Sequence, residues 1–157
     1  MNHLIKADDN RGLRVVARRG TYGLKMMDFC LLNFPEGGSF PINTKDEELA
    51  SIILTGTCSV TGDKGINWKN IGRRKNVFEG RATSFYLPIE TKCELTAEPG
   101  FSMAFVKVPA EKKFKPVLIL PEDVIITVAG AFNWKREVQK IFDNNLFSSL
   151  CVLKLFW

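Results

Sequence analysis

The 157-residue chain has room for one domain with a sizeable core. Hydrophobic residues make up 45% and charged residues 25%, the balance of a soluble globular protein, and no stretch is long and apolar enough to span a bilayer. The formal net charge of +5 suits an anionic small molecule at least as well as nucleic acid. The positive charges gather at residues 11–19, 69–81 and 107–115, where solvated turns are the alternative reading. No recognisable nucleic-acid module accompanies them, so no nucleic-acid partner is expected. Cys30, Cys58, Cys93 and Cys151 are far apart and form no Cys-x-x-Cys pair, which favours buried thiols in a reducing cytoplasm over disulfides. The single histidine, His3, lies next to the N-terminus, and no cluster suited to a transition metal is visible.

Residues 1–12 read as a polar lead-in with no secretory pattern. Residues 13–17 form a short strand turned by Arg18-Arg19-Gly20. Residues 24–34 form the next, with Met26, Cys30, Leu32 and Phe34 on one face and Asp28 interrupting. Pro35-Glu36-Gly37-Gly38 is a turn, and Pro41 limits residues 39–42 to an edge piece. A long apolar strand runs through residues 50–55 to Gly56, and Thr57-Cys58-Ser59-Val60-Thr61 continues it. A hairpin turn at Gly62-Asp63-Lys64-Gly65 returns through Ile66-Asn67-Trp68.

The central stretch, residues 71–88, reads as a basic turn, a short Val77-Phe78 strand, a Glu79-Gly80 turn and a Phe85-Tyr86-Leu87 strand closed by Pro88. Residues 92–97 alternate, with Cys93, Leu95 and Ala97 inward. Strands follow at residues 101–108, 116–120 and 124–128. Residues 132–142 fit either a helix, with Trp134, Val138 and Ile141 on one face, or a strand. The chain closes on an apolar run, Leu150 to Trp157, an edge that suits a partner strand from another copy. Many short strands and regular turns predict an all-β sandwich or barrel.

Glu48, seven residues, Gly56 and the Ser59-Val60-Thr61-Gly62 hairpin resemble the first half of a cupin barrel. The pattern Ile71-Gly72-x-Arg74-x-x-Val77-Phe78-Glu79-Gly80 followed by Tyr86-x-Pro88 is more specific. It resembles the 5-deoxy-glucuronate isomerase family of bacterial inositol breakdown. Leu120-x-Glu122-Asp123-Val124 and Gly130-x-x-Asn133-Trp134-x-Arg136-Glu137-Val138 agree with it. The resemblance spans roughly residues 4–145. It implies an all-β, cupin-type jelly-roll barrel, the N-terminal half of a bicupin. On that basis residues 13–130 would form the barrel, and residues 131–157 a linker and the start of a truncated second cupin.

The family's reaction is the aldose–ketose isomerisation of 5-deoxy-glucuronate to 5-dehydro-2-deoxy-gluconate. The resemblance implies an acidic sugar as ligand and a divalent metal, usually zinc, held by histidines and a glutamate in the second cupin. Where a metal-binding cupin would carry His-x-His, this chain has Ile42-Asn43-Thr44-Lys45, so no metal ligand is carried over. A ketol shift needs a base and an electrophile. The expectation is therefore a chain inactive on its own, with a metal-free module that binds an acidic sugar or a partner chain as the alternative.

Candidate substrate-binding residues are Arg73, Arg74 and Glu79. Arg74 could take a uronate carboxylate bidentately, and Glu79 could face a barrel mouth. Each could instead have a structural role: Glu79 capping backbone N–H groups of its turn or pairing with Arg73 or Arg74, and Arg74 in that same ion pair. No catalytic residue is assigned. Glu48 reads as a solvated strand start or as a vestige of a metal glutamate. Tyr86, Trp68, Trp134 and Trp157 read as packing residues.

Overall fold

The computed structural model describes residues 11–142 and 154–156. Six strands form the larger antiparallel sheet: β1 (Gly12–Ala17), β2 (Asp28–Phe34), β4 (Glu47–Thr55), β7 (Ser84–Leu87), β9 (Phe101–Pro109) and β10 (Val117–Ile119). Their spatial order is β1-β2-β9-β4-β7-β10. Four form the smaller sheet: β3 (Gly38–Asn43), β5 (Thr57–Gly62), β6 (Asn67–Gly72) and β8 (Lys92–Ala97), in the order β3-β8-β5-β6. The two sheets face each other as an all-β, cupin-type barrel. A third sheet is built from β11 (Ile125–Ala129), β12 (Arg136–Lys140) and β13 (Lys154–Phe156). The β11–β12 hairpin runs across residue 130, where the sequence reading ended the barrel.

Burial follows the number of covered faces. Strand β8 alternates exposed and buried residues throughout, because only one of its faces meets the core. Strand β4 is buried on both. Leu49 and Ile53 point between the sheets to join Leu32, Leu95, Met103 and Phe85 in the main core. Ala50 and Ile52 point the other way, into a second cluster with Tyr86, Val106, Ile119, Val124, Ile141 and Phe142. The long apolar run in the sequence thus reflects a strand buried on two sides. The space between the sheets is packed mainly with apolar side chains, apart from a cavity of about 150 Å³ at the end beside β1 and β3, lined in part by Asp28, Cys30, Ile42, Leu49, Phe105 and Lys107.

One close crossing fixes the corner beside β6. Gly56 has φ +79° and Gly72 has φ +103°. A Cβ on Gly72 would lie 2.4 Å from the Gly56 carbonyl oxygen. There the Arg73 amide donates to Gly56 O at 2.8 Å, and the Gly56 amide donates to Arg74 O at 3.1 Å. The chain therefore leaves β6 in one orientation, with Arg73 also at positive φ, 111°.

Several expectations need correction. Val77-Phe78 is not a strand: Asn76 Oδ1 accepts the Phe78 amide at 2.9 Å, a side-chain turn that takes the backbone out of any ladder. Strand β2 starts at Asp28, and Met26 lies exposed outside it. Residues 132–142 hold a single 3-10 turn, Phe132–Trp134, and then β12, so the strand alternative is the one realised. Glu48 is buried, 1% exposed, not a solvated strand start. Cys30, Cys58 and Cys93 are buried free thiols. His3 and Cys151 lie outside the described residues, and of the apolar run Leu150 to Trp157 only β13 is described.

Candidate anion site at the open seam

The two sheets do not close on each other along the side where β6 and β10 are their outermost strands. The seam opens beside the segment that links β6 to β7, residues 73–83. A cavity of about 450 Å³ lies there, lined in part by Arg73, Arg74, Lys75, Glu79 and Arg81. The structure thus brings together all three residues singled out from the sequence and adds two more cations. Both belong to the basic run that composition flagged at residues 69–81, but nothing in their spacing separated them from solvated charges.

Arg74 differs from its neighbours. Its Nε donates to two carbonyls, Ile53 O and Leu54 O, each at 3.0 Å. That anchor fixes the plane of the guanidinium. Both terminal nitrogens, Nη1 and Nη2, are buried and have no hydrogen-bond partner. Burial lowers the guanidinium pKa below its usual value. Arg74 is thus an anchored guanidinium on the cavity wall whose two remaining donors are unpartnered but closed off from solvent, so a two-oxygen anion reaches them only once the guanidinium or its cover shifts.

The expected ion pair between Glu79 and the arginines is not formed. Glu79 is exposed, and its Oε1 accepts from Asn76 Nδ2 at 2.8 Å. Arg81 Nη1 donates to Val124 O at 3.3 Å, and the Ala82 amide donates to Gln139 Oε1 at 3.2 Å. These two bonds tie the cavity wall to the third sheet.

Glu48 lies elsewhere. It shares the outer face of the large sheet with Ala50 and Ile52, where Tyr86 donates its hydroxyl proton to Glu48 Oε2 at 2.7 Å. Burial raises the Glu48 carboxyl above its usual value, and the Tyr86 hydrogen bond opposes that rise. Strand parity thus turns Glu48 away from the barrel interior, which sets aside the metal-glutamate reading. Tyr86 is a packing residue with a polar role. Trp134 is exposed, and Trp68 is half-buried against Phe85 with ring centroids 5.8 Å apart.

The barrel end beside β1 and β3 carries charge, but the charges satisfy one another. Arg19 pairs with Asp28 and Glu47, and Lys107 Nζ lies 2.8 Å from Glu47 Oε2. At the position of the absent histidines, Thr44 is buried and donates to Pro88 O at 2.7 Å, while accepting the Thr91 amide at 2.9 Å. Among the described residues, no three His, Cys, Asp or Glu side chains assemble as a metal site. The described side chains therefore do not fit the family's divalent metal, and no chemical step is routed through one. No described helix is long and apolar enough to cross a membrane.

The model of the KduI/IolB family matches residues 3–156, nearly the entire chain. The chain belongs to the KduI/IolB family. Among its relatives, the 5-deoxy-glucuronate isomerase of Bacillus subtilis strain 168 is 32% identical over 136 residues, 85% of this chain and 50% of that protein. The 5-deoxy-glucuronate isomerase of Halalkalibacterium halodurans is 26% identical over 156 residues, 96% of this chain and 57% of that one. The crystal structure of an IolB-like protein from Salmonella typhimurium LT2 superimposes with a TM-score of 0.80 at 23% identity. It covers 89% of this chain and 53% of the other, and shows the shared fold. The chain spans about half the length of the curated relatives it matches, in keeping with the resemblance to the N-terminal half of the KduI/IolB proteins.

Proposed function

We propose that this chain is the N-terminal barrel of a protein of the 5-deoxy-glucuronate isomerase type, and that by itself it binds the acidic sugar without isomerising it. The observation that carries this reading is the cationic cavity wall of Arg73, Arg74, Lys75 and Arg81, in which Arg74 is anchored through Nε and has two buried, unpartnered nitrogens to turn toward an anion. A uronate carboxylate supplies two oxygens at the spacing a guanidinium edge accepts. The three further cations on the same wall, Arg73, Lys75 and Arg81, outnumber the one carboxylate, Glu79, and draw an anion in. Isomerisation needs a base beside the migrating proton and an electrophile on the carbonyl oxygen. The cavity wall offers cations and a Glu79 already engaged by Asn76, which supports recognition more than proton transfer.

Titration of 5-deoxy-glucuronate, with heat and product followed together in the presence of zinc or manganese, tests both halves. Saturable binding without product is expected, weakened about tenfold or more in Arg74→Met. Turnover at a rate typical of enzymes overturns the claim of inactivity. Absence of binding overturns the claim of recognition, and tighter binding of inorganic phosphate moves the ligand class from sugar acid to phosphate.

A second reading, contact with another copy of this chain, draws on Val128, Phe132 and Trp134, which are 59%, 96% and 73% exposed on and beside the third sheet. Light scattering that shows a dimer, converted to monomer by Phe132→Asp, supports it. A monomer at high concentration removes it.

A further inference from the structure

The seam holds a second cavity of about 580 Å³, and it meets the first: Gly72, Arg73, Thr83 and Pro121 line both. From this junction we infer that the site takes a disaccharide, with the carboxylate-bearing ring at Arg74 and the next ring beside Trp68. The inference rests on the sugar-acid reading above and assigns the size of the ligand.

The two compartments differ in chemistry. The first is dominated by cations. The second is lined by Trp68 together with Asn67, Asn70 and one charge of each sign, Lys69 and Glu122, beyond the shared Arg73. Trp68 packs one part of its ring against Phe85, at 44° between planes, and also forms wall of the groove. An indole held in this way offers an apolar surface to the C–H face of a pyranose, as amphipathic aromatics do at wet interfaces.

Around it the polar groups are available. Asn67, Asn70 and Glu122 are exposed, and their side chains make no hydrogen bond or ion pair among the described residues. The Asn70 backbone is nevertheless fixed, with its amide donating to Ser59 Oγ at 3.1 Å. Amides both donate and accept, as a sugar hydroxyl does, whereas a carboxylate only accepts. A flat aromatic flanked by two amides, with Lys69 and Glu122 offsetting each other, suits a neutral hydroxylated ring.

The order of the compartments sets the ligand's polarity. The anchored guanidinium lies at one end of the groove and the indole at the other, with Arg73 at the junction. A single sugar held by its carboxylate at Arg74 would leave the Trp68 compartment filled only with water. A uronate joined to a second sugar fills both, and a neutral disaccharide leaves the Arg74 donors idle.

Calorimetry with three probes decides the matter: glucuronate, a glucuronosyl-glucose disaccharide, and a neutral glucosyl-glucose. Wild-type protein is expected to bind the acidic disaccharide about tenfold more tightly than glucuronate. In Trp68→Leu that difference narrows to within about threefold, and it narrows also in Asn67→Ala/Asn70→Gly, where both side chains are exposed and glycine keeps the positive φ of 51° at residue 70. Trp68 emission shifts with the acidic disaccharide in a Trp134→Phe/Trp157→Phe background and does not with glucuronate. Equal affinity for glucuronate and the acidic disaccharide overturns the two-ring inference and leaves the one-sugar reading intact. Binding of neither acidic probe overturns that reading as well. Equal binding of the neutral disaccharide overturns the anchoring role of Arg74.

Discussion

Replacing Gly72 with alanine tests whether the corner that positions Arg73 and Arg74 is as tight as the structure shows. Gly72 sits at φ +103°, a conformation that costs an L-residue about 1–2 kcal/mol. The new Cβ would lie 2.4 Å from Gly56 O, a backbone atom that can move only with its strand. Moving it stretches the two bonds between Gly56 and Arg73-Arg74, each contributing about 0.5–1.5 kcal/mol. The sum is about 2–5 kcal/mol, a fall in Tm of roughly 4–20 °C for a chain of this size. Urea denaturation measures it, with Gly65→Ala as the control. Gly65 also has positive φ, +78°, but nothing lies within 4 Å of its Cβ, so the control loses only the conformational part. Gly72→Ala is also expected to weaken glucuronate binding about fivefold under conditions where both proteins are folded. The reasoning is refuted if Gly72→Ala and Gly65→Ala are equally stable.

Glu48 makes a pH prediction. Its folded carboxyl titrates above the ordinary value of 4.5, chiefly because it is buried. Its contribution to stability is therefore fully present below about pH 4.5 and is lost as the pH rises towards the folded value. Glu48→Gln cannot ionise, so its stability relative to wild type should grow between pH 4.5 and neutrality; a difference that stays constant over that range contradicts the assignment. Tyr86→Phe removes the donor to a buried carboxylate and should cost about 1.5–3 kcal/mol by urea denaturation, with much less lost when Glu48 is already Gln. Burial raises the thiol pKa of Cys30 to about 11 and those of Cys58 and Cys93 to about 12. Peptide mapping after treatment with a thiol reagent at pH 8 should find these three unlabelled in folded protein and labelled in urea; prompt native labelling contradicts their packing.

Much of the barrel was legible because half-buried and doubly buried strands leave different traces. The strict alternation of residues 92–97 matches β8 residue for residue. The long, largely apolar run at residues 50–55 marked β4, a strand covered on both faces. What the sequence could not show was parity. Glu48 lies one position from Leu49, and that step decides between the space within the barrel and the second cluster outside it. Val77-Phe78 misled because β-branched and aromatic residues outweighed the turn-forming Asn76 just before them. Arg74 was recognisable as a candidate from its place in a motif. Its anchoring was not, because the carbonyls that hold it, on Ile53 and Leu54, come from a strand some twenty residues earlier. The second cavity was equally hidden, since it depends on β6 and β10 both being sheet edges.

The most direct measurement is NMR of the arginine side chains and the backbone amides during a glucuronate titration. The Arg74 Nη and Nε resonances should shift and saturate with the calorimetric curve, while Met103 and Leu95, inside the barrel, stay still. Shifts centred on Asp28 and Lys107 at the other end of the barrel, or no shift at Arg74 while heat is released, would contradict the placement of the anion site.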